Sequence, residues 1–347
     1  MTPKVFTGWA VATAVAVLAA LVAVLGAPSV ATVEIDNAPA FPALRAHPDA
    51  AVRIIVASAE ERFTLRRTKD GRWVAADKFD YPADAAKIRE LVAGLADLRL
   101  VEPKTRLPER YARLEVEDVD APGAKSRRVR IEDAEGRPLA EAIIGKRRFR
   151  YTGGAPNGVY LRRPGEARAW LASGRAKVEP LLLDWLDKTV VNIARETVAR
   201  VEIEPREGPA YVAARDSGEG SFRILGREDA KLNPDTDDRL AGVLAYIDFD
   251  DVKPEGEITW PEDKTTTARV TTFDGVAITL RLARIDDADW ATVSASAVAD
   301  AAKPDAARKR AEAIAARTKG WAYRLSEGVA ARLTRPVAQL IEGAPGS

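Results

Sequence analysis

The 347-residue chain is long enough for two domains, each with its own core. Its 46% hydrophobic and 30% charged residues make an ordinary globular mixture, and 53 Lys and Arg against 52 Asp and Glu leave a formal charge of +1, so no global field draws in nucleic acid or an anionic surface. With no cysteine and a single histidine, disulfides, thiolate nucleophiles, Cys-ligated zinc and a lipid-modified N-terminal Cys are excluded, and neither a Ser-His-Asp triad nor a His-rich metal site is expected.

From Val5 to Leu25 no charged residue occurs and Ala, Val and Leu dominate. A run of about 20 apolar residues is what a helix needs to cross a bilayer. Lys4 precedes it, and Glu34 and Asp36 are the first charges after it. That asymmetry predicts an uncleaved anchor over 5–25 in the inner (cytoplasmic) membrane, with residues 1–4 in the cytoplasm and the body in the periplasm. The competing reading is a signal peptide cleaved near Ser29-Val30-Ala31, but the run is longer than the usual apolar core of such peptides. Residues 26–50 hold Pro28, Pro39, Pro42 and Pro48 and read as an extended spacer. His47 lies in this spacer beside Pro48 and reads as a surface residue.

The body begins with a strand at Val52-Arg-Ile-Ile-Val, then a hairpin from Arg62 through the Lys69-Asp70-Gly71 turn to Trp73-Val74-Ala75. Pro82 and Asp84 open a helix on which Ile88, Leu91, Val92, Leu95 and Leu98 recur at helical spacing. Leu100, Val101 and Pro103 follow as a strand. The same order returns later. Val201 to Glu204 is a strand, Tyr211 to Arg215 and Phe222 to Leu225 form a hairpin, and Pro234 and Asp235 open a helix carrying Leu240, Val243, Leu244 and Ile247. Phe249, Val252 and Pro254 close this unit. Val129 to Leu139 and beyond, turning at Glu135-Gly136, parallels Val270 to Leu282, turning at Asp274-Gly275. Gly158-Val-Tyr-Leu-Arg is matched here with Gly320-Trp-Ala-Tyr-Arg-Leu, and short helices around Leu181–Leu186 and Val337–Ile341 end the two halves. A repeat of about 150 residues predicts a domain duplication. The expected fold class is α+β, with two similar strand-rich modules, 51–195 and 196–343, each an antiparallel sheet with a packed helix. An Ala- and Arg-rich helix over Asp305–Arg317, with Ile314 its one large apolar residue, is expected to lie on the surface.

Asp184-Trp185-Leu186-Asp187-Lys188-Thr189 leading into Val198-Ala-Arg-Val-Glu-Ile, together with Gly320-Trp321-Ala322-Tyr323-Arg324-Leu325, resembles the family of domain of unknown function 4340. The resemblance spans nearly the whole chain. It implies a bacterial membrane-anchored protein of no established activity that accompanies ABC transporters of the gliding-motility type, with no catalytic residues to carry over.

The remaining motifs are weaker. Asp235-Thr-Asp237-Asp238 lacks the central Gly of an EF-hand and has Tyr246 where the closing Glu belongs; Asp286-Asp287-Ala288-Asp289 reads as a turn. Gly145-Lys146 lacks the Walker spacing. Lys125–Arg130 and Lys146–Arg150 read as solvated strand faces and turns. Tyr151–Gly158 reads as a hairpin loop. Trp170, Trp185, Trp260, Trp290 and Trp321 read as core rather than as a sugar platform. No catalytic, cofactor-binding or metal-ligating residue is therefore assigned. The expected function is that of a non-enzymatic accessory protein that binds an integral membrane partner, such as ABC transporter subunits, and no nucleic acid. The alternative is an envelope glycan hydrolase acting through carboxylates too numerous to single out.

Overall fold

The computed structural model describes residues 37–149, 157–261 and 263–343; the expected anchor and most of the 151–158 loop lie outside them. Among the described residues no helix is long and apolar enough to cross a membrane. The chain forms two antiparallel sheets with a few helices, an α+β arrangement. The first sheet has nine strands: β1 (Arg53–Ala57), β2 (Arg62–Arg67), β3 (Trp73–Ala75), β4 (Tyr81–Pro82), β5 (Arg99–Pro103), β6 (Arg127–Glu132), β7 (Pro138–Arg148), β8 (Gly158–Arg162) and β9 (Ala169–Ser173). They lie in the order β4-β3-β2-β1-β6-β7-β8-β9-β5. Alternation sets the two faces. Ile54 pairs with Leu65 on one side and Ile131 on the other, all buried, while Ile55 pairs with Thr64 and Arg130 on the opposite face.

The second sheet comprises β10 (Val198–Glu204), β11 (Tyr211–Ala214), β12 (Arg223–Ile224), β13 (Asp251–Pro254), β14 (Thr265–Thr272), β15 (Val276–Ile285), β16 (Ala288–Ala297) and β17 (Trp321–Leu325). Its order is β12-β11-β10-β14-β15-β16-β17-β13. With β4 set aside, this is the order of the first sheet strand for strand. The likeness extends to single hydrogen bonds. Ahead of the module helices, Ala83 bridges Leu186 and Leu232 bridges Ile341. The Asp84 amide donates to the Trp185 carbonyl at 2.7 Å, and the Asn233 amide to the Leu340 carbonyl at 2.9 Å.

Strand pairing corrects one expected match. Pro103 faces Trp170 and Pro254 faces Trp321, so the Gly320 segment corresponds to β9, whereas Gly158 opens β8, whose counterpart is β16. The likeness between the Gly158 and Gly320 segments is that of two apolar strands in general, and the cross-strand Pro–Trp pair fixes the correspondence.

Helix α1 (Pro42–Ala46) corrects the spacer. Leu44 is fully buried, Ala40 and Phe41 nearly so, and the backbone of 38–40 pairs with β5 (Ala40 amide to Leu98 carbonyl, 2.8 Å; Leu100 amide to Ala38 carbonyl, 2.9 Å). The prolines break regular structure without keeping these residues out of the core; residues 38–50 belong to the body. His47 is exposed at the C-terminal end of α1, as read. Helix α2 (Ala85–Asp97) starts where Asp84 accepts the Ala86 and Lys87 amides, and it buries Ile88, Leu91, Val92 and Leu95.

Its counterpart α3 (Thr236–Ala241) is shorter than the expected helix. It stops at Gly242, and residues 244–247 instead bond to the linker between modules: the Ile193 amide donates to the Leu244 carbonyl, and the Val190 amide to the Ile247 carbonyl at 2.9 Å. Tertiary hydrogen bonds outweigh the helical spacing of Val243, Leu244 and Ile247. Helix α4 (Pro304–Thr318) is a second correction: Ala307, Ala311, Ile314 and Thr318 are buried against β15 and β16. Alanine lets the helix approach closely, so one large side chain suffices. Helix α5 (Glu327–Leu333) follows β17, capped by Ser326.

The modules share one hydrophobic core. Tyr81 of β4 reaches across to Phe249, Trp321 and Tyr323, edge-on at ring separations of 5.4, 4.9 and 6.4 Å, and its hydroxyl donates to the Asp187 carbonyl at 3.1 Å. Lys78 pairs with Asp251 at 2.7 Å. Burial raises the Tyr81 phenol well above its ordinary value and pushes the Tyr323 phenol up to about 12.

Candidate binding surface

A concave region lies at one end of the first sheet, where the β1–β2 turn, the start of β6 and the end of β7 meet. Strand β6 reads Arg-Arg-Val-Arg-Ile-Glu. Because Val129 and Ile131 are buried, Arg128, Arg130 and Glu132 take the outer face, and Arg127 shares the inner face at the point where the core ends. On the outer face three arginines share two glutamates. Arg128 and Arg130 both donate to Glu141 of β7, Arg130 also to Glu132 at 2.6 Å, and Arg53 lies 3.3 Å from Glu132. The bond to Glu132 holds the Arg130 guanidinium above its usual range.

The β1–β2 turn is built around Ser58. Its hydroxyl accepts from the Glu60 and Glu61 amides at 3.1 Å and lies 3.3 Å from the Pro180 carbonyl, to which it donates. The Glu61 carboxylate accepts the Leu182 amide at 2.8 Å. The segment between β5 and β6 is clamped from below by Arg162, 4% exposed. Arg162 donates to the Val116 carbonyl at 2.8 Å and to Asp118 at 2.6 Å, and it stacks on Tyr111 at 4.6 Å. The segment crosses β7 at Gly145, where an added Cβ would sit 2.2 Å from the Leu114 carbonyl oxygen.

These elements enclose three cavities that share lining residues. One of about 470 Å³ lies between Ser58–Arg62, Asp120 and the Arg128–Arg130 face. A second, about 250 Å³, shares Ser58, Ala59 and Glu60 with it and adds Glu115 and Lys125–Arg127. A third, about 300 Å³, shares Glu115 and Arg127 with the second and reaches Lys146, Arg147, Phe149 and Lys177. Three polar atoms in this region are buried with no hydrogen-bond partner among the described residues: Ser126 Oγ, Arg127 Nε and Glu117 Oε2. The other Glu117 oxygen accepts the Lys125 amide at 2.6 Å.

The weaker sequence motifs fall elsewhere and serve the scaffold. Asp235 pairs with Arg239, Asp237 accepts the Phe222 amide at 2.6 Å, and Asp238 lies 3.7 Å from Arg195. Asp286 and Asp287 occupy the β15–β16 turn with φ of 48° and 59°, and Asp289 pairs with Arg284 at 3.0 Å. Among the described residues no group of three or more His, Asp or Glu could hold a metal ion. Trp185 and Trp290 are buried, and Trp170 and Trp321 pack against the core; Trp260 lies over Arg281 at 5.6 Å, with its Nε1 buried and unpartnered among the described residues.

Ser58, Glu117, Ser126 and Arg127 carry no motif. The available signal was the hairpin itself. Counting outward from the Glu135-Gly136 turn sets Arg127 opposite Ile144 and thereby joins the two basic clusters that look separate in the sequence.

The family model described as Domain of unknown function (DUF4340) matches residues 73–303. No curated protein and no solved structure matches the chain. The match takes in the β5–β6 segment, β6 and β7; the Ser58 turn precedes it.

Proposed function

The chain belongs to the family of domain of unknown function 4340, and from that premise we propose that it is a single-pass, membrane-anchored accessory protein. Its body, two copies of one duplicated α+β unit, binds a partner outside the cytoplasm. Residues 5–25 supply the anchor on the inner membrane, the N-terminus stays in the cytoplasm, and the partner is an integral membrane protein of the ABC-transporter class. The apolar run and the charges that flank it support the topology.

The observation that carries the binding reading is the chain of shared-wall cavities at the end of the first sheet with its buried, unpartnered Ser126, Arg127 and Glu117 atoms. A buried polar group without a partner is costly, by about 1–3 kcal/mol each, so a partner that supplies those bonds gains affinity and specificity together. With a near-neutral body, recognition rests on shape and local bonds rather than on long-range steering.

Co-purification of the full chain from detergent-solubilised membranes tests this. An integral membrane protein enriched with the wild type, and depleted when Glu60 and Glu61 are both replaced by Arg, is the expected result. Enrichment of no membrane protein, or release of soluble fragments from isolated cell-wall glycan by the purified chain, contradicts it.

A further inference from the structure

Net charge hides a local excess. Of the cations in the two basic clusters, Arg128 and Arg130 are neutralised by Glu141 and Glu132, and Arg148 lies 3.7 Å from Glu102. Arg127 and Lys146 have no carboxylate partner among the described residues, and Arg147 rests on the exposed ring of Phe149 at 4.9 Å. The β6–β7 register, which sets Arg127 opposite Ile144, and the irregularity between Ile144 and Arg147 in the β7–β8 pairing bring all three to the 300 Å³ cavity. Lys177 lines the same cavity and is paired with Glu179. Glu115 is the other carboxylate in the wall. Four cations therefore face two carboxylates, an excess of two positive charges. Arg127 Nε is buried without an acceptor among the described residues, and Ser126, 1% exposed with its Oγ likewise unpartnered, lines the adjoining cavity.

We propose that this cavity binds a phosphate-class oxyanion, held by Arg127, Lys146 and Arg147. A dianion matches the excess charge, whereas a monovalent carboxylate leaves half of it uncompensated. A guanidinium with a free Nε–H offers the planar donor edge that tetrahedral oxyanions accept. The side walls are backbone and apolar: Gly145 sits against the Leu114 carbonyl, and Ile144, Ala176 and Val178 are buried. The inference rests on the binding reading above and gives the chemistry of one end of that surface. The phosphate is either free or the headgroup of a lipid.

Isothermal titration of the full chain, held in nanodiscs of zwitterionic lipid, tests it with inorganic phosphate as the probe. Saturable one-to-one binding is expected, weakened about tenfold or more by Lys146→Ala and by Arg127→Gln, and unchanged by Arg269→Ala on the exposed face of the second sheet. Lys146 is exposed, so its variant reads the site even if the half-buried Arg127 substitution perturbs folding. Monomeric dihexanoyl phosphatidic acid, a phosphomonoester that can carry two charges, assigns the site to a lipid headgroup if it binds more tightly than phosphate and competes with it; the reverse order assigns it to a free phosphate. No saturable phosphate binding, equal binding of acetate, or binding indifferent to Lys146→Ala overturns the proposal. The titration contains no protein partner, so its failure leaves partner capture standing, and failure of capture leaves the oxyanion site standing.

Discussion

Replacing Tyr81 should uncouple the two modules. The side chain is 4% exposed and contributes three kinds of interaction at the seam: buried ring area, edge-on contacts with Phe249, Trp321 and Tyr323, and the hydrogen bond to the Asp187 carbonyl. Truncating a buried aromatic residue to Ala typically destabilises by about 3–5 kcal/mol, and removing a single neutral hydrogen bond by about 1 kcal/mol. Tyr81→Phe keeps the ring and should lose only about 1 kcal/mol, whereas Tyr81→Ala should lose about 4 kcal/mol, a large share of a total stability of about 5–15 kcal/mol. Because Tyr81 belongs to the first sheet while Trp321 and Tyr323 belong to β17 of the second and Phe249 precedes β13, the loss falls on the coupling between modules. Urea unfolding followed by Trp fluorescence and by circular dichroism should give coincident transitions for the wild type and separated ones for Tyr81→Ala. Coincident transitions and a change below about 1 kcal/mol in Tyr81→Ala would refute the claim that the aromatic cluster couples the modules.

Four further outcomes follow from single residues. Leu44→Ala should destabilise the body by about 2–4 kcal/mol, because Leu44 is fully buried; a change near zero in a urea titration would return residues 38–50 to the role of a spacer. Gly145→Ala should lower stability by at least about 2 kcal/mol, since the new Cβ meets the Leu114 and Glu115 carbonyl oxygens at 2.2 and 2.8 Å. Gly136→Ala, in open space at φ 77°, should lower it by only about 1 kcal/mol in the same assay. The buried phenols act at the alkaline end, whereas a paired carboxylate loses its contribution in acid. Burial raises Tyr323 and Tyr211 to about 12, so the fold favours their neutral forms. That contribution is fully present below the unfolded phenol's pKa near 10 and is lost as pH rises through about 12. Urea midpoints measured at pH 9 and pH 11.5 should fall further in the wild type than in Tyr323→Phe, and equal falls would show that Tyr323 does not contribute.

Much of the fold was legible because it rests on local rules. The Asp84 cap and the Ile88–Leu95 spacing give α2, and the Lys69-Asp70-Gly71 and Glu135-Gly136 turns give hairpins with the alternation their strands require. The repeated order of elements was visible for the same reason. What the sequence concealed was decided at long range. Leu44 is buried because β5 pairs with residues 38–40, Leu244 and Ile247 leave the helix to bond with Val190 and Ile193, and α4 seats on the second sheet through Ala307 and Ala311, residues that periodicity scores as weak. The candidate surface was the least legible feature. Arg127 and Lys146 become neighbours only through the β6–β7 register, and nothing in the composition separates them from Arg128 and Arg130, which Glu141 and Glu132 neutralise.

The claim that the body binds through the end of its first sheet is tested most directly by site-specific photo-crosslinking in intact cells. A photoreactive residue at Glu60, in the β1–β2 turn, can be compared with one at Glu207 in the topologically equivalent β10–β11 turn of the second sheet. Both positions are exposed and lie in topologically equivalent connections, so they differ in surroundings rather than in accessibility. Capture of one discrete membrane-protein adduct from Glu60, and none from Glu207, is the predicted result. Adducts of equal yield from both positions, or from Glu207 alone, would contradict it.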